Sequence, residues 1–196
     1  HSVTPGQLKE VCITPVLKPG KDDSKPASFR PISVTPPLTK WFEKIVHSRV
    51  LEFLKEIPEL FHRQSGWQNK RGAQEALFDA LHHIRTAQAR GHAVGLIKMD
   101  IRKFFDTIDR RKLWIKLEEL GICGKLLAWM RQHMEHVRHL VKANSAKSEP
   151  TEHELGLPQG SILSPILSAI FSEDAPDFIM GISRCMTREE CIRKNV

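Results

Sequence analysis

Between Gly91 and Asp100 the chain runs Ala93-Val-Gly-Leu-Ile-Lys-Met99, an almost continuous apolar stretch. Without alternation, such a segment reads as a strand buried on both faces, at the centre of a helix-covered sheet. It ends in an acid where the chain leaves the sheet. The covering layers are legible on either side. Leu38, Trp41, Phe42, Ile45, Val46 and Leu54 recur at helical spacing, with Lys40, Glu43, Lys44 and Arg49 filling the other face. Thr35, before Pro36-Pro37, reads as that helix's cap. A second helix spans about Ala73 to Arg90, with Ala76, Leu77, Ala80, Leu81 and Ile84 on one face and Gly91 as its stop. Two more span about 110–120 and 124–137, and another runs from Ser161 to about Glu173. Residues 10–17 read as a short strand that Pro15 places at an edge. Lys18 to Pro31 is a loop or two short strands around a tip, and 138–156 is a hairpin with a polar tip. Trp41, Trp114 and Trp129 fall at apolar helical positions and are expected in the core. The expected class is α+β.

The 196 residues, 40% apolar and 27% charged, fit one domain or two interleaved subdomains and exclude a long disordered chain. No run of about 18 apolar residues marks a membrane span. Thirty Lys plus Arg against 23 Asp plus Glu give +7, which favours polyanionic partners, nucleic acid before membrane. The cysteines Cys12, Cys123, Cys185 and Cys191 form no CxxC pair, so neither a zinc ribbon nor a disulfide framework is indicated. With no secretory signal, reduced thiols and an intracellular location, cytoplasm and nucleus, are expected. His1 in place of Met reads as a processed product, an expressed domain or a fragment.

Chemistry concentrates at a few places. Asp100, at the end of the apolar run, can offer a carboxylate to a hard divalent cation, or it can simply cap the next turn. Gly156-Leu-Pro-Gln-Gly160 precedes a helix start, whose free amides favour an anion such as a phosphate. Lys18-Pro-Gly-Lys21 and Phe29-Arg30-Pro-Ile-Ser33 put two cations where they could clamp a triphosphate; a solvated charge run is the commoner arrangement. Trp67 in its basic loop could stack on a base. His133, His136 and His139, spaced by threes, converge poorly for zinc.

In this order the segments resemble the reverse transcriptase domain of non-LTR (LINE-type) retrotransposons. Leu17 to Val34 looks like that family's first fingers motifs. Gln64-Ser-Gly-Trp67-Gln-Asn-Lys-Arg71 is similar to its Q-x-G-F motif, with Trp67 for Phe. Asp100 to Asp106 looks like palm motif A and Gly156 to Leu167 like motif B. The resemblance covers roughly residues 10–180. It implies right-hand polymerase fingers plus an incomplete palm: fingers over 1–90, a palm part with motif A over 91–120, a fingers/palm connection over 121–150, a palm part with motif B over 151–180, and a non-family tail over 181–196.

It further implies RNA-directed DNA polymerase activity, in which deoxynucleotides are added to a 3′ hydroxyl by a two-metal mechanism. Asp100 would be the catalytic metal-binding carboxylate, joined by the carbonyl of Ile101, with Mg2+ as cofactor. Phe105 would exclude a 2′-OH, Lys18 and Arg30 would meet the phosphates, and Gln159 and Gly160 would line the nucleotide pocket. Asp106 would be a structural hydrogen-bonding acid. Trp67, Lys70 and Arg71 would contact nucleic acid. The implied partners are an RNA template, a DNA primer, dNTPs and the missing palm and thumb segments of a parent polyprotein, with no membrane. No Ala-Asp-Asp motif follows Leu167; the acids Asp174 and Asp177 stand at the end of the motif B helix. A truncated domain, inactive alone, is therefore expected. The competing readings are a non-catalytic nucleic-acid-binding remnant of a retroelement and a group II intron-type reverse transcriptase, which usually carries Pro-Gln-Gly-Gly where this chain has Pro158-Gln-Gly-Ser161.

Overall fold

The computed structural model describes residues 9–57, 60–61, 64–66, 71–143 and 145–175. Strand β1 (Glu10–Leu17) pairs antiparallel with β2 (Phe29–Val34), and Pro15 stands opposite Pro31. Neither proline has an N–H, so this pair cannot be a hydrogen-bonded one. Opposed residues in an antiparallel ladder alternate between bonded and non-bonded pairs. Ile13 and Ser33, two steps along, are therefore also non-bonded, and the Ser33 N–H and C=O point away from β1. The prolines thus set which backbone groups of β2 remain available to the rest of the chain.

On its other side β1 pairs in parallel with β3 (Arg138–Ala143), which also takes up β4 (Ala146–Lys147) and β5 (Thr151–Glu152). The order is β2-β1-β3-β4, with β5 on β3. Strand β1 is thus internal, not an edge. Its pairing with β3 stops at Ile13, so Pro15 lies where β1 has a single neighbour and costs no ladder bond. A parallel pair needs a crossover. Here it is made by α1 (Pro37–Lys55), α2 (Ala73–Ala89), α3 (Phe104–Thr107), α4 (Arg110–Glu119) and α5 (Gly124–Met134). Helix α6 (Ser164–Phe171) follows the hairpin.

The core gathers Val50 and Leu54 of α1, Leu113, Trp114 and Leu117 of α4, Leu127, Met130 and Met134 of α5, and Leu163, Ile166, Leu167 and Ile170 around α6. Trp114 is buried and Trp129 packs partly against this cluster, as their spacing suggests.

The apolar run of 93–99 is a correction. It forms no strand, and Leu96 and Ile97 are 79% and 85% exposed. A strand buried on both faces needs neighbours on its edges, and none of the described strands reaches it. The 138–152 hairpin joins the sheet of β1 and β2 instead. Helix α1 is a second correction. Its buried stripe is Thr39, Glu43, Val50 and Leu54, while Leu38, Trp41, Phe42 and Ile45 face outward, Trp41 at 61% exposure. Glu43 replaces apolar residues inside because partners there satisfy its carboxylate. Thr35 makes no cap, since Pro36 occupies that position. Helix α2 forms as expected but buries none of its residues.

These placements separate by mutation. Leu113→Ala, in the core, should lower unfolding stability by about 2–5 kcal/mol. Leu96→Ala should change it by no more than about 0.5 kcal/mol. Urea unfolding of both variants makes the comparison. Equal losses would show that the 93–99 run is buried after all.

Candidate functional site

Two stretches, 100–109 and 155–164, are stitched together along their backbones. The amide of Gly156 donates to Ile108 O at 2.8 Å, that of Leu157 donates to Phe105 O at 2.8 Å, and Asp109 forms an isolated bridge with Leu155. Gly156, at φ +85°, lies so close that a Cβ would stand 3.0 Å from Asp106 O. Lys103 takes the left-handed conformation, φ 54°, to start the short α3. Asp109 caps α4 by accepting from the amides of Arg111 and Lys112.

The Pro158–Gly160 turn then docks on β2. Ser33 N donates to Gln159 O at 2.7 Å, through the outward amide that the proline pair dictates. A Cβ on Gly160 would stand 2.3 Å from Ser33 O, and its φ is +134°. Glycine is required here by both space and conformation. The Gln159 side chain donates from Nε2 to Asp106 Oδ1 at 2.8 Å, so the two stretches also meet through side chains. Ser164 Oγ donates to Pro158 O at 2.7 Å and closes the turn.

The helix after the turn carries matched charges at its ends. At its amino end the Ile162 amide donates to Glu43 Oε2 at 2.8 Å and the Leu163 amide to Ser161 Oγ at 3.2 Å. The anion expected there is thus the chain's own carboxylate. At its carboxyl end Lys116 Nζ donates to Phe171 O at 2.6 Å and pairs with Asp174. Both contacts oppose the helix dipole with charge of the right sign. Gln64 ties its segment to the same end, with Nε2 donating to Ser172 Oγ at 3.0 Å.

A cleft of about 650 Å3 opens beside the turn, lined by Ile13, Ser33, Asp106, Arg110, His139 and Gln159 among others. The side chains of Pro31 and Ser33 face it, whereas Arg30, exposed, shares the opposite face of β2 with Ile32 and Val34. Lys18 Nζ donates to Ala27 O at 2.9 Å within the hairpin. The structure thus joins Asp106, Gln159 and Gly160, and it brings neither Lys18 nor Arg30 to this cleft. Asp100 and Ile101 are exposed at the end of the unpaired run. Phe105 is half-buried against the core, in edge contact with Phe104 at 5.9 Å. Arg71 is exposed; Trp67, Lys70 and Asp177 lie outside the described residues.

Among the described residues no group of three or more His, Cys, Asp or Glu side chains could hold a metal ion. The histidines discounted for zinc are spread over α5, a turn and β3. A magnesium site demands several oxygens in an octahedral shell. Asp100 with one carbonyl falls short of that, so these residues do not by themselves form the metal centre. No described helix is long and apolar enough to cross a membrane.

Sequence reasoning missed Glu43, Arg110 and His133. Glu43 stood on an apparently solvated face, and the signal that could have found it is the Thr39, Glu43, Val46, Val50, Leu54 stripe at helical spacing. Arg110 is buried, with Nε donating to Glu154 O at 2.8 Å and Nη1 donating to Met134 O. It ties α4 to the hairpin and to the end of α5.

A family model described as reverse transcriptase (RNA-dependent DNA polymerase) matches residues 16–186. The chain is 31% identical over 174 residues to a probable RNA-directed DNA polymerase from transposon X-element of Drosophila melanogaster, covering 88% of this chain and 19% of the relative. It is 28% identical to the corresponding protein of transposon BS of the same fly, covering 88% and 19%. It is 30% identical to the RNA-directed DNA polymerase from mobile element jockey of Drosophila funebris, covering 83% and 18%. The chain therefore spans about a fifth of the length of these relatives.

Two outcomes are expected. Gly160→Ala should cost at least about 2 kcal/mol in urea unfolding, from clash and strain together; an unchanged midpoint would show that the turn does not dock on β2. The second concerns His139. Burial, then the charges of His153 and Arg110, hold its imidazole below the usual 6.5. The unfolded chain therefore takes up the proton first as pH falls below 6.5, and stability is lost from there toward the depressed folded value. The unfolding midpoint should fall between pH 7.5 and 5.5, and fall less in His139→Gln. His47, also lowered by burial, keeps some slope in that variant.

Proposed function

The chain belongs to the reverse transcriptase (RNA-dependent DNA polymerase) family, and from that premise we propose that it is the part of a mobile-element RNA-directed DNA polymerase that receives the nucleotide and grips the template. The observation that carries this reading is the joining of 100–109 to 155–164 through Gly156, Leu157 and Gln159, stretches that overlap the segments Asp100 to Asp106 and Gly156 to Leu167, which resemble palm motifs A and B. The family implies a nucleic-acid template and primer and nucleotide substrates, and it generally uses divalent metal ions.

In this reading Gln159 and Gly160 line the nucleotide pocket, with the Gln159 amide oriented by Asp106. Phe105, its backbone pinned by Leu157, lies against the sugar and selects deoxynucleotides by excluding a 2′-OH. Arg30 and Lys18 are the cations proposed for the phosphates; both stand outside the cleft of Gln159, so the β1–β2 hairpin must shift and Lys18 must leave Ala27 to meet them. Trp67, Lys70 and Arg71 contact the template. Asp100 would offer one carboxylate and Ile101 its carbonyl to a divalent metal ion, taken as Mg2+, which would polarise the phosphate; the remaining ligands would have to come from outside the described residues. Asp174 does not replace them, because Lys116 engages it. Residues 1–90 and 121–150 serve as fingers and 91–120 with 151–180 as an incomplete palm.

With so few metal ligands, the 196-residue chain should extend no primer. It should still bind a hybrid of RNA template and DNA primer through its +7 charge. Affinity should fall steeply with salt, and Arg30→Ala should lower the slope of log K against log salt by about 1. Primer extension with magnesium and dNTPs, alongside binding at two or more salt concentrations, tests both points. Extension abolished by Asp100→Ala would overturn the inactivity, and salt-independent binding or none would overturn the nucleic-acid reading.

A further inference from the structure

Glu43 is a buried acid to which the polymerase reading gives no role. It lies on α1 at 1% exposure, and groups from α5 and from the turn before α6 converge on its carboxylate. Ser161 Oγ donates to Oε1 at 2.9 Å and the Ile162 amide donates to Oε2 at 2.8 Å. His133 Nε2 stands 3.0 Å from Oε1. A carboxylate only accepts, so this network assigns the imidazole hydrogen to Nε2. The ring is held by stacking on Trp129 at 4.6 Å. Burying a carboxylate is costly unless its oxygens are bonded. The positions of the donors are therefore as constrained as the acid itself.

These donors flank the turn. Ser161 and Ile162 directly follow Gly160, and the Pro158 carbonyl accepts from Ser164 on the far side of the carboxylate contact. The turn is thus held on β2 by Ser33, on α3 by the Gln159–Asp106 bond, and on α1 by Glu43.

We propose that Glu43 is a positioning residue for the Pro158–Gly160 turn: by accepting from Ser161 Oγ and from the Ile162 amide it fixes where Gln159 is presented, and it closes the approach to the Ile162 amide just ahead of α6. The consequence for a nucleotide, which rests on the polymerase reading, is that its phosphates are bound away from the Ile162 amide. The placement of Gln159 does not depend on that reading.

The test follows the Gln159 side-chain amide by NMR in the full 15N-labelled chain. Held by Asp106, its two Nε2 hydrogens should give a well-separated, protected pair. Glu43→Gln keeps the side-chain size but sets an NH2 among groups that donate. The Gln159 pair should move toward the free-amide position and exchange about ten-fold faster or more, while Leu113 and Leu117 stay protected. A loss of core packing alone would act on all of these together. An unmoved Gln159 pair in folded Glu43→Gln overturns the proposal. Should that variant not fold, Ser161→Ala removes one donor and leaves the carboxylate bonded to Ile162. It should shift Gln159 in the same direction to a smaller degree, and no shift overturns the proposal. Inorganic triphosphate added to wild type should leave the Ile162 and Leu163 amides in place, and their displacement would show that the helix end is open. A titration with dTTP judges the polymerase reading separately. A Gln159 pair indifferent to dTTP counts against that reading, while the effect of Glu43→Gln stands or falls on its own.

Discussion

Two prolines facing each other across β1 and β2 decide how the rest of the chain attaches. Because neither can donate, their pair fixes the hydrogen-bonding phase of the ladder, and the phase turns Ser33 outward. The outward amide meets the Gln159 carbonyl, and the outward carbonyl lies where any Cβ on residue 160 would collide with it. A one-residue slip would turn Ser33 inward and remove both contacts. The absence of two backbone hydrogens sets this phase, and the connecting turn and the buried face of the strands select the register within it.

What holds the turn beyond that contact is polar and buried, which is the more exacting way to hold a segment. An apolar contact tolerates small displacements, whereas a buried carboxylate left without a donor costs several kcal/mol. Glu43, Ser161 and the Ile162 amide therefore admit few arrangements. Lys116 plays the complementary part at the other end of α6, on the Phe171 carbonyl. A helix of only 8 residues has little intrinsic stability. Here both ends are charged to suit its dipole, and its Ile166, Leu167 and Ile170 are buried between them. The sequence that resembles motif B is thus a short helix fixed at both termini by other elements, and this lets a glycine turn in front of it hold a defined shape.

The local signals were legible: the helices at 37–55, 73–89 and 110–119, the strand at 10–17, the hairpin after 138 and the glycine turn before α6 all stand where periodicity and turn chemistry place them. The family was legible too, because it rests on motif order. What periodicity misjudged was burial. It put Trp41 inside and Glu43 outside, since hydropathy weighs a residue without its partners, and the donors that admit Glu43 lie 90 and 118 residues further on. It likewise made a buried strand of 93–99, since composition shows that a segment is apolar but not whether anything lies beside it. For the candidate site, the sequence marked the segments Asp100 to Asp106 and Gly156 to Leu167, and the structure joins them at Asp106 and Gln159 rather than at Asp100. Sequence could not find the Gln159–Asp106 bond or the Arg110 tie, which depend on how the chain returns to itself.

The same logic accounts for the apolar surface that stays open. Leu96, Ile97 and Met99 of the unpaired run, Leu77, Phe78 and Leu81 of α2, and Trp41 and Ile45 of α1 are all exposed, though each segment is patterned as if for an interior. Single exposed apolar residues are ordinary; whole patterned faces are not. The described residues form one well-packed cluster around α4, α5 and α6, in which the polar ties of the turn close on themselves, and these three faces stand outside it. The run carrying Asp100 is among them. Asp100 thus sits on a segment that this cluster does not hold, whereas Gln159 sits on one that is fixed from three sides. Within this chain, the order built in around the glycine turn and α6 does not extend to the segment that carries Asp100.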